Sequence, residues 1–295
     1  MYRGRFAPSP TGQLHFGSLV AAVASYLDAK AHSGEWMVRI EDLDPPREVP
    51  GSAKEILNKL EAFSLFWDGD IMWQSQRHKQ YDQALKQLAE LKATYLCDCT
   101  RKMIQESGGV YQNSCRGRLA ESFTPDRAAA IRLQVTEPLH FFSDRLQGKV
   151  INPPESATED FVLRRRDQLY AYQLAVVVDD IEQQITHVVR GADLIDSTFK
   201  HWQLYQYFGA PFPSYLHIPL AVSTAGQKLS KQNYAPAINS KKAQQALIQA
   251  FHFLGLTPEK SMETTRCSEI LQWGVEHWSE NSIPPQLSQS VPTDD

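Results

Sequence analysis

The segment 2–40 constrains the fold most, because it alternates between a strand, a sharp loop, a helix and a second strand. Residues 2–7 predict a short strand, and the proline- and glycine-containing segment 8–12 turns the chain sharply. The alanine-rich apolar segment 18–27 predicts a buried helix that Gly34 terminates, and 36–40 predicts a second buried strand. This order indicates a parallel βαβ unit.

The same alternation continues through predicted helices near 51–64 and 77–92, and it breaks between about 97 and 160. In that interval the predicted strands are short and turn residues are frequent, which is typical of an insertion. The α/β pattern resumes in three segments, at 170–180, 186–190 (a strand) and 193–208 (a helix). We therefore predict an α/β fold with a Rossmann-like, doubly wound parallel sheet, an insertion and a small helical C-terminal extension.

The expected boundaries follow from these breaks in the pattern. They are a split catalytic domain at 1–96 and 161–235, an insertion at 97–160, a helical extension at 236–281 with helices near 240–255 and 266–279, and a tail at 282–295. The tail is polar and rich in proline, so we expect it to be disordered.

Composition narrows the class of protein. The chain has 295 residues, of which 42% are hydrophobic, and no apolar run approaches the roughly 18 residues that a membrane span needs. No secretory signal is visible, so we expect a cytoplasmic protein, and we expect it to act as a monomer. The net charge of -4 gives no general attraction to nucleic acid, so an RNA partner would need local basic patches such as 164–166.

Three of the four cysteines cluster at Cys97, Cys99 and Cys115, which indicates a metal site rather than a disulfide framework. Zinc prefers four ligands in a tetrahedron. The spacing alone leaves zinc and three unrelated reduced thiols equally open. The closest candidates in sequence for the fourth ligand are Asp98, Tyr111 and the more distant His140.

The start of the first helix is suited to binding phosphate, because its unpaired backbone N–H groups carry partial positive charge. His15 precedes the helix and can donate to a phosphate oxygen, while Gly17 leaves room for an adenine ring close to the backbone. The alternative is a plain strand–loop–helix turn with a histidine facing solvent.

Lys228 and Lys231 lie in a loop after the apolar run 218–222. Two lysines on such a loop can stabilise the negative charge that develops when an α-phosphate is attacked. By itself, a Lys-Ser-Lys loop is usually a solvated surface, so its meaning depends on the N-terminal loop.

The two loops together resemble the HIGH and KMSKS signatures of class I aminoacyl-tRNA synthetases. The segments that carry this resemblance are PSPTGQLHFGS (8–18) and KLSKQ (228–232). Four further segments are similar to the glutamyl-tRNA synthetase branch: RFAPSPTG (5–12), RIEDLD (39–44), VVDD (177–180) and RGAD (190–193). The resemblance runs in unbroken order from about residue 3 to 235.

A pocket for free glutamate needs cations for two carboxylates and an anion for one ammonium, and Arg5, Arg190 and Glu41 supply them. A structural ion pair between Glu41 and Arg190 is the alternative. The resemblance implies glutamate binding by Arg5, Phe6, Ala7, Pro8, Ser9, Glu41, Tyr172 and Arg190.

For the nucleotide, the resemblance implies Mg²⁺-dependent ATP binding by Pro8, Thr11, Gly12, His15, Gly17, Ser18 and Lys231. It implies catalytic roles for His15, Lys228 and Lys231, and one structural zinc ion held by Cys97, Cys99, Tyr111 and Cys115.

The chain departs from the family pattern at three positions. Val176 stands where glutamyl enzymes usually carry Asn, so the contacts to glutamate must differ. In the second signature, Leu229 replaces Met and Gln232 replaces the final Ser; the first change conserves volume.

Only about sixty residues follow Lys231, whereas full glutamyl-tRNA synthetases continue into a large anticodon-binding domain. This length resembles truncated paralogues of these enzymes, which activate glutamate and transfer it to the queuosine base in the anticodon of tRNA(Asp). Three alternatives stay open: a short glutamyl-tRNA synthetase that charges a 3′ end, a nucleotidyltransferase of the same superfamily, and a non-catalytic RNA-binding paralogue.

Overall fold

The computed structural model describes residues 1–118, 128–223 and 237–291. The strands are β1 (Arg3–Phe6), β2 (Glu35–Ile40), β3 (Met72–Trp73), β4 (Thr94–Cys97), β5 (Ala130–Leu133), β6 (Phe141–Asp144), β7 (Gly148–Ile151), β8 (Phe161–Arg164), β9 (His187–Gly191), β10 (Ser214–Ile218), β11 (Leu220–Val222) and β12 (Ser288–Ser290). The helices are α1 (Phe16–Ala31), α2 (Ser52–Ala62), α3 (His78–Glu90), α4 (Arg101–Glu106), α5 (Pro154–Ala157), α6 (Tyr172–Glu182), α7 (Ile195–Phe208), α8 (Ala243–Phe253) and α9 (Cys267–Glu276).

Parallel strands form the part of the fold that positions the candidate site. β2 pairs in parallel with both β1 and β3, and β9 pairs in parallel with β10. The Thr186 N–H donates to the Arg3 carbonyl at 2.9 Å, which joins the start of β9 to β1. The carboxyl ends of β1, β2, β9 and β10 therefore face one edge, where parallel α/β sheets bind their ligands.

Helix α1 lies at the centre of the largest hydrophobic cluster, which explains its alanine-rich composition. It contacts β1, β2, β9, α8 and α9, so small side chains are needed on several faces. Its buried Asp28 accepts hydrogen bonds from Tyr2, from Arg145 (2.6 and 2.9 Å) and from Trp278 (2.9 Å). These bonds tie the N-terminal strand, the insertion and the C-terminal segment to one helix.

The middle of the chain changes to antiparallel pairing. β5 lies between β4 and β8, and β6 and β7 form a hairpin whose turn, 145–147, leads into Gly148, whose φ is +69°. The strands of this insertion begin at Thr94 and end at Arg164, so they extend a few residues beyond the expected interval 97–160.

The C-terminal segment corrects one expectation. Ser288–Ser290 forms β12, which pairs in parallel with β11, so residues 282–291 are not the disordered tail predicted from composition. The Leu220 N–H also donates to the Leu287 carbonyl at 2.9 Å. Backbone pairing with a distant strand stabilises this polar segment without a large apolar face.

Within the described ranges, no helix is both long enough and apolar enough to cross a lipid bilayer.

Candidate active site

A cavity of about 530 Å³ opens at the carboxyl ends of β1, β2, β9 and β10. Every residue that the resemblance implies for glutamate lines it: Arg5, Phe6, Ala7, Pro8, Ser9, Glu41, Tyr172 and Arg190. The implied nucleotide residues Pro8, Thr11, His15, Gly17 and Ser18 line it as well. The structure thus brings residues from four strand ends and two helix starts, those of α1 and α6, to a single cavity.

Gly12 does not line this cavity. Its N–H donates to the Ser52 hydroxyl (3.1 Å), and that hydroxyl donates back to the Gly12 carbonyl (2.6 Å). The φ of Gly12 is +133°, a backbone conformation that residues other than glycine rarely adopt. Gly12 therefore fixes the loop against the start of α2.

A buried ion network holds Arg5 in place. Arg5 Nε donates to Asp180 at 3.2 Å, and Arg39 Nη1 donates to the same carboxylate at 2.7 Å. Burial alone would raise the pKa of Asp180, but the two guanidiniums outweigh it and hold that pKa below its usual range. Arg5 Nη1 makes no hydrogen bond within the described part of the chain, which leaves it available to a carboxylate ligand.

Glu41 and Asp193 are the carboxylates that line the cavity among the described residues, and Glu41 is the one beside Arg39. Its side chain is 8% exposed, and its closest cation is Arg39 Nη2 at 3.4 Å. Burial raises the pKa of Glu41 to about 7, although Arg39 and Arg5 act in the opposite direction. An ammonium ligand would supply the counter-charge that this carboxylate incompletely receives from the protein.

Arg190 is oriented by a chain of buried polar groups. Its Nε donates to His217 Nε2 (3.1 Å) and its Nη2 to Thr198 Oγ1 (2.7 Å), while Nη1 lies 3.4 Å from the Tyr172 hydroxyl. His217 Nδ1 in turn donates to Asp144 (2.7 Å), which fixes the tautomer whose Nε2 accepts from Arg190. Burial holds the pKa of His217 below its usual value, so the ring stays neutral beside Arg190.

The helix start is built around His15. Its ring caps α1 by accepting from the Ser18 N–H (Nδ1, 3.3 Å), and α1 begins at Phe16, directly after this cap. The chain returns to this point downstream, because Ala237 forms a β-bridge with His15. Ala221 lines the cavity, and Ala237 pairs with His15, which lines it too.

Lys228 and Lys231 lie outside the described residues, so their predicted roles remain predictions. Val176 is fully buried in α6 and is not among the described residues that line the cavity.

The predicted metal ligands come together in the insertion. The Sγ atoms of Cys97, Cys99 and Cys115 lie within 4.8 Å of one another, at the end of β4 and in the following turns. Tyr111 is buried in the same cluster, and its hydroxyl accepts from the Cys115 N–H at 3.0 Å. Three soft thiolate donors at this spacing fit a zinc ion with one further ligand.

The other candidates for the fourth ligand differ in position. Asp98 Oδ1 lies 3.7 Å from Cys115 Sγ and is bound by Arg118 at 2.8 Å, whereas His140 is exposed and does not belong to the metal-ligand group.

The sequence matches the family described as tRNA synthetases class I (E and Q), catalytic domain, over residues 1–283. The chain belongs to this family.

Similar proteins carry a more specific name. The chain is 52% identical over 285 residues to the glutamyl-Q tRNA(Asp) synthetase of Photobacterium profundum, an alignment that covers 96% of this chain and 90% of that protein. It is 50% identical over 283 residues to the protein of the same name from Escherichia coli (strain K12), with coverage of 96% and 91%.

Solved structures agree on the fold. The glutamate-tRNA synthetase of Elizabethkingia anophelis superposes with a TM-score of 0.81 at 25% identity, covering 99% of this chain and 68% of that one. A putative arginyl-tRNA synthetase from Campylobacter jejuni, at 12% identity and a TM-score of 0.52, shares the fold alone. The chain has the α/β fold of class I aminoacyl-tRNA synthetases.

The sequence did not point to His217 and Asp144, although they orient Arg190. A histidine inside the buried strand β10 was the one available signal, and Asp144 lies in the insertion, far away in sequence. Further lining residues that the motifs did not identify are Leu14, Ala21, Val189, Gly191, Asp193, Leu194, Ile218, Pro219, Leu220 and Ala221.

Proposed function

We propose that this class I synthetase activates L-glutamate with ATP and transfers the glutamyl group to the queuosine base in the anticodon of tRNA(Asp). The observation that carries the proposal is one cavity in which Arg5, Glu41 and Arg190 lie beside the N-terminus of α1. Two guanidiniums and one carboxylate complement the charges of free glutamate, and the helix start suits a nucleotide phosphate. The names of the most similar relatives support this substrate and this acceptor.

The first step needs positioning more than a protein nucleophile. One carboxylate of glutamate pairs with Arg190, the other with Arg5 Nη1, and the ammonium with Glu41. An oxygen of the α-carboxylate attacks the α-phosphorus of ATP, and pyrophosphate leaves with its Mg²⁺ ion. His15 and Lys231 stabilise the charge that develops on the phosphate oxygens.

In the second step, a hydroxyl of the cyclopentene ring of queuosine attacks the glutamyl carbonyl carbon. An ester bond forms, the anhydride bond to phosphate breaks, and AMP leaves. The hydroxyl proton passes to the departing phosphate or to solvent.

The same proposal assigns the supporting parts of the chain. A structural zinc ion bound by Cys97, Cys99, Cys115 and Tyr111 stiffens the insertion, which divides one doubly wound sheet at 1–96 and 161–235 into two stretches of sequence. The bond between Thr186 and Arg3 supports a single sheet, because it links the strands of the two stretches. The enzyme works in the cytoplasm as a monomer.

Two assays test the function in sequence. Glutamate-dependent exchange of pyrophosphate into ATP without RNA tests activation, and we expect it in the native chain but not in Lys231→Ala. Transfer of labelled glutamate is then compared between tRNA(Asp) with and without queuosine. If both RNAs are labelled equally, and the label is lost when the 3′ end is removed, the result would support a short glutamyl-tRNA synthetase instead. If the native chain exchanges no pyrophosphate, the proposal that it activates glutamate would be refuted.

A further inference from the structure

A second cavity, of about 400 Å³, adjoins the first. The two cavities share Ser9, Thr11, Glu41 and Tyr172 in their linings. Most of these shared residues belong to the proposed glutamate set, whereas His15 and Gly17 at the helix start line the first cavity alone. The second cavity therefore meets the first mainly on the glutamate side, and Thr11 is the one shared residue that belongs to the nucleotide set.

This position matters for the transfer step. The nucleophile must reach the glutamyl carbonyl while the leaving AMP still occupies the nucleotide side of the first cavity. A hydroxyl that enters through the second cavity reaches the glutamyl group without displacing the nucleotide.

The lining of the second cavity is rich in hydrogen-bond acceptors. Glu41, Asp44 and Glu48 contribute carboxylates. Glu48 Oε1 and Gln173 Oε1 are buried and have no hydrogen-bond partner in the described parts of the chain. Because an unpaired buried acceptor is unfavourable, both side chains would be stabilised by turning toward a ligand that brings hydroxyl and ammonium donors into the cavity.

The same cavity also carries exposed arginines. The side chains of Arg47 and Arg165 are 69% and 37% exposed, and they pair with Asp44 at 2.6 and 3.3 Å. Guanidiniums on an exposed rim suit RNA phosphates, which position a nucleic acid without reading its sequence. Arg165 lies in the basic triplet 164–166, which the activation step does not use.

Building on the function proposed above, we propose that this second cavity is the acceptor subsite, which holds the hydroxylated, cationic side chain of queuosine. Glu48 and Gln173 accept from the cyclopentene hydroxyls and from the secondary ammonium that links the ring to the base. Arg47 and Arg165 bind the adjoining phosphates. An unmodified guanine at the same position has neither donor group, so the subsite selects the modified base.

The test separates transfer from activation. Glu48→Gln keeps the shape of the side chain and removes its charge, and Gln173→Met removes the amide at similar length. Each variant should raise the KM for queuosine-containing tRNA(Asp) about ten- to hundredfold, because a hydrogen bond to a charged group is lost in the first case and a buried acceptor in the second. Pyrophosphate exchange should change less than about twofold, and Glu55→Gln on the exposed face of α2 is the matched control.

A second measurement distinguishes the base from the phosphates. tRNA(Asp) without queuosine is used as a competitive inhibitor of transfer. Arg165→Ala should weaken this inhibition several-fold and reduce its dependence on salt, whereas Glu48→Gln should leave it unchanged.

The outcomes are separable. If the native enzyme exchanges pyrophosphate but transfers nothing to queuosine-containing tRNA(Asp), the proposed function fails. If the native enzyme transfers and both Glu48→Gln and Gln173→Met transfer with an unchanged KM, the acceptor subsite fails. Loss of exchange in both variants, with thermal unfolding as in the native chain, would also overturn the subsite, because it would place the second cavity in activation.

Discussion

The raised pKa of Glu41 predicts that the affinity for glutamate falls in mildly acidic solution. Burial brings this pKa to about 7, and only the ionised carboxylate can pair with the ammonium of the substrate. About nine-tenths of Glu41 is ionised near pH 8 and about one-tenth near pH 6, one unit on either side of that pKa. The KM for glutamate should therefore rise about tenfold between pH 8 and pH 6.

Pyrophosphate exchange at saturating ATP measures this KM at intervals across that pH range. Glu41→Gln should bind glutamate more weakly at pH 8 and show a nearly flat pH profile, because its amide does not titrate. Glu55→Gln, which changes an exposed carboxylate on α2, should keep the native profile. A native KM that stays constant from pH 6 to pH 8, or an unchanged slope in Glu41→Gln, would refute the reasoning.

The same pKa has a consequence for folding. The folded chain holds the Glu41 proton more tightly than the unfolded chain, whose carboxyl ionises near 4.5. The contribution of Glu41 to stability is therefore fully present below about pH 4.5 and is lost as the pH rises through about 7. Glu41→Gln should gain stability relative to the native chain between pH 5 and pH 8, and thermal unfolding at both values measures it.

Three further predictions concern other parts of the molecule. Asp180→Asn leaves the Arg5 guanidinium incompletely paired in a buried site, so it should cost about 3 to 5 kcal/mol in urea unfolding; a loss below about 1 kcal/mol would contradict the buried network. Cys115→Ala should abolish binding of one zinc ion per chain in metal analysis, whereas Cys267→Ala, which changes a buried thiol outside the cluster, should retain it. His217→Asn should raise the KM for glutamate about tenfold with little change in the KM for ATP, because the shorter amide cannot reach Arg190 and Asp144 at once. Equal increases in the two KM values would contradict a positioning role.

Local sequence was sufficient for the elements whose conformation is set by near neighbours. Turn residues at 8–12, an apolar helix after them and a buried strand at 36–40 all appear in the structure close to the predicted positions. Cys97, Cys99 and Cys115 were also predicted to cluster, and the structure brings their sulfur atoms together. In each case the signal lies within a few tens of residues, where spacing and composition report directly on geometry.

Long-range pairing explains what the sequence did not reveal. Composition predicted disorder for the segment after Ser282, but β12 pairs with β11, and nothing in its polar residues signals that partner. His217 and Asp144 meet only because β10 packs against β6, and their bond decides which nitrogen faces Arg190. These contacts join segments that are remote in sequence, and no local propensity encodes them.

The sequence alone identifies the residue types that binding of glutamate, phosphate and zinc requires. They are two arginines and a carboxylate at strand ends, a histidine before a helix, and three clustered cysteines. Their spacing determined an α/β chain with a site at the carboxyl edge of its sheet. Only the tertiary structure decided how those side chains are charged and aimed, because burial raises the pKa of Glu41, Asp180 restrains Arg5, and His217 orients Arg190. The second cavity likewise exists only in the fold, where the segment that follows β2 and the start of α6 come together around it. Charge and shape at a site depend on which distant groups exclude water from it, and packing alone settles that.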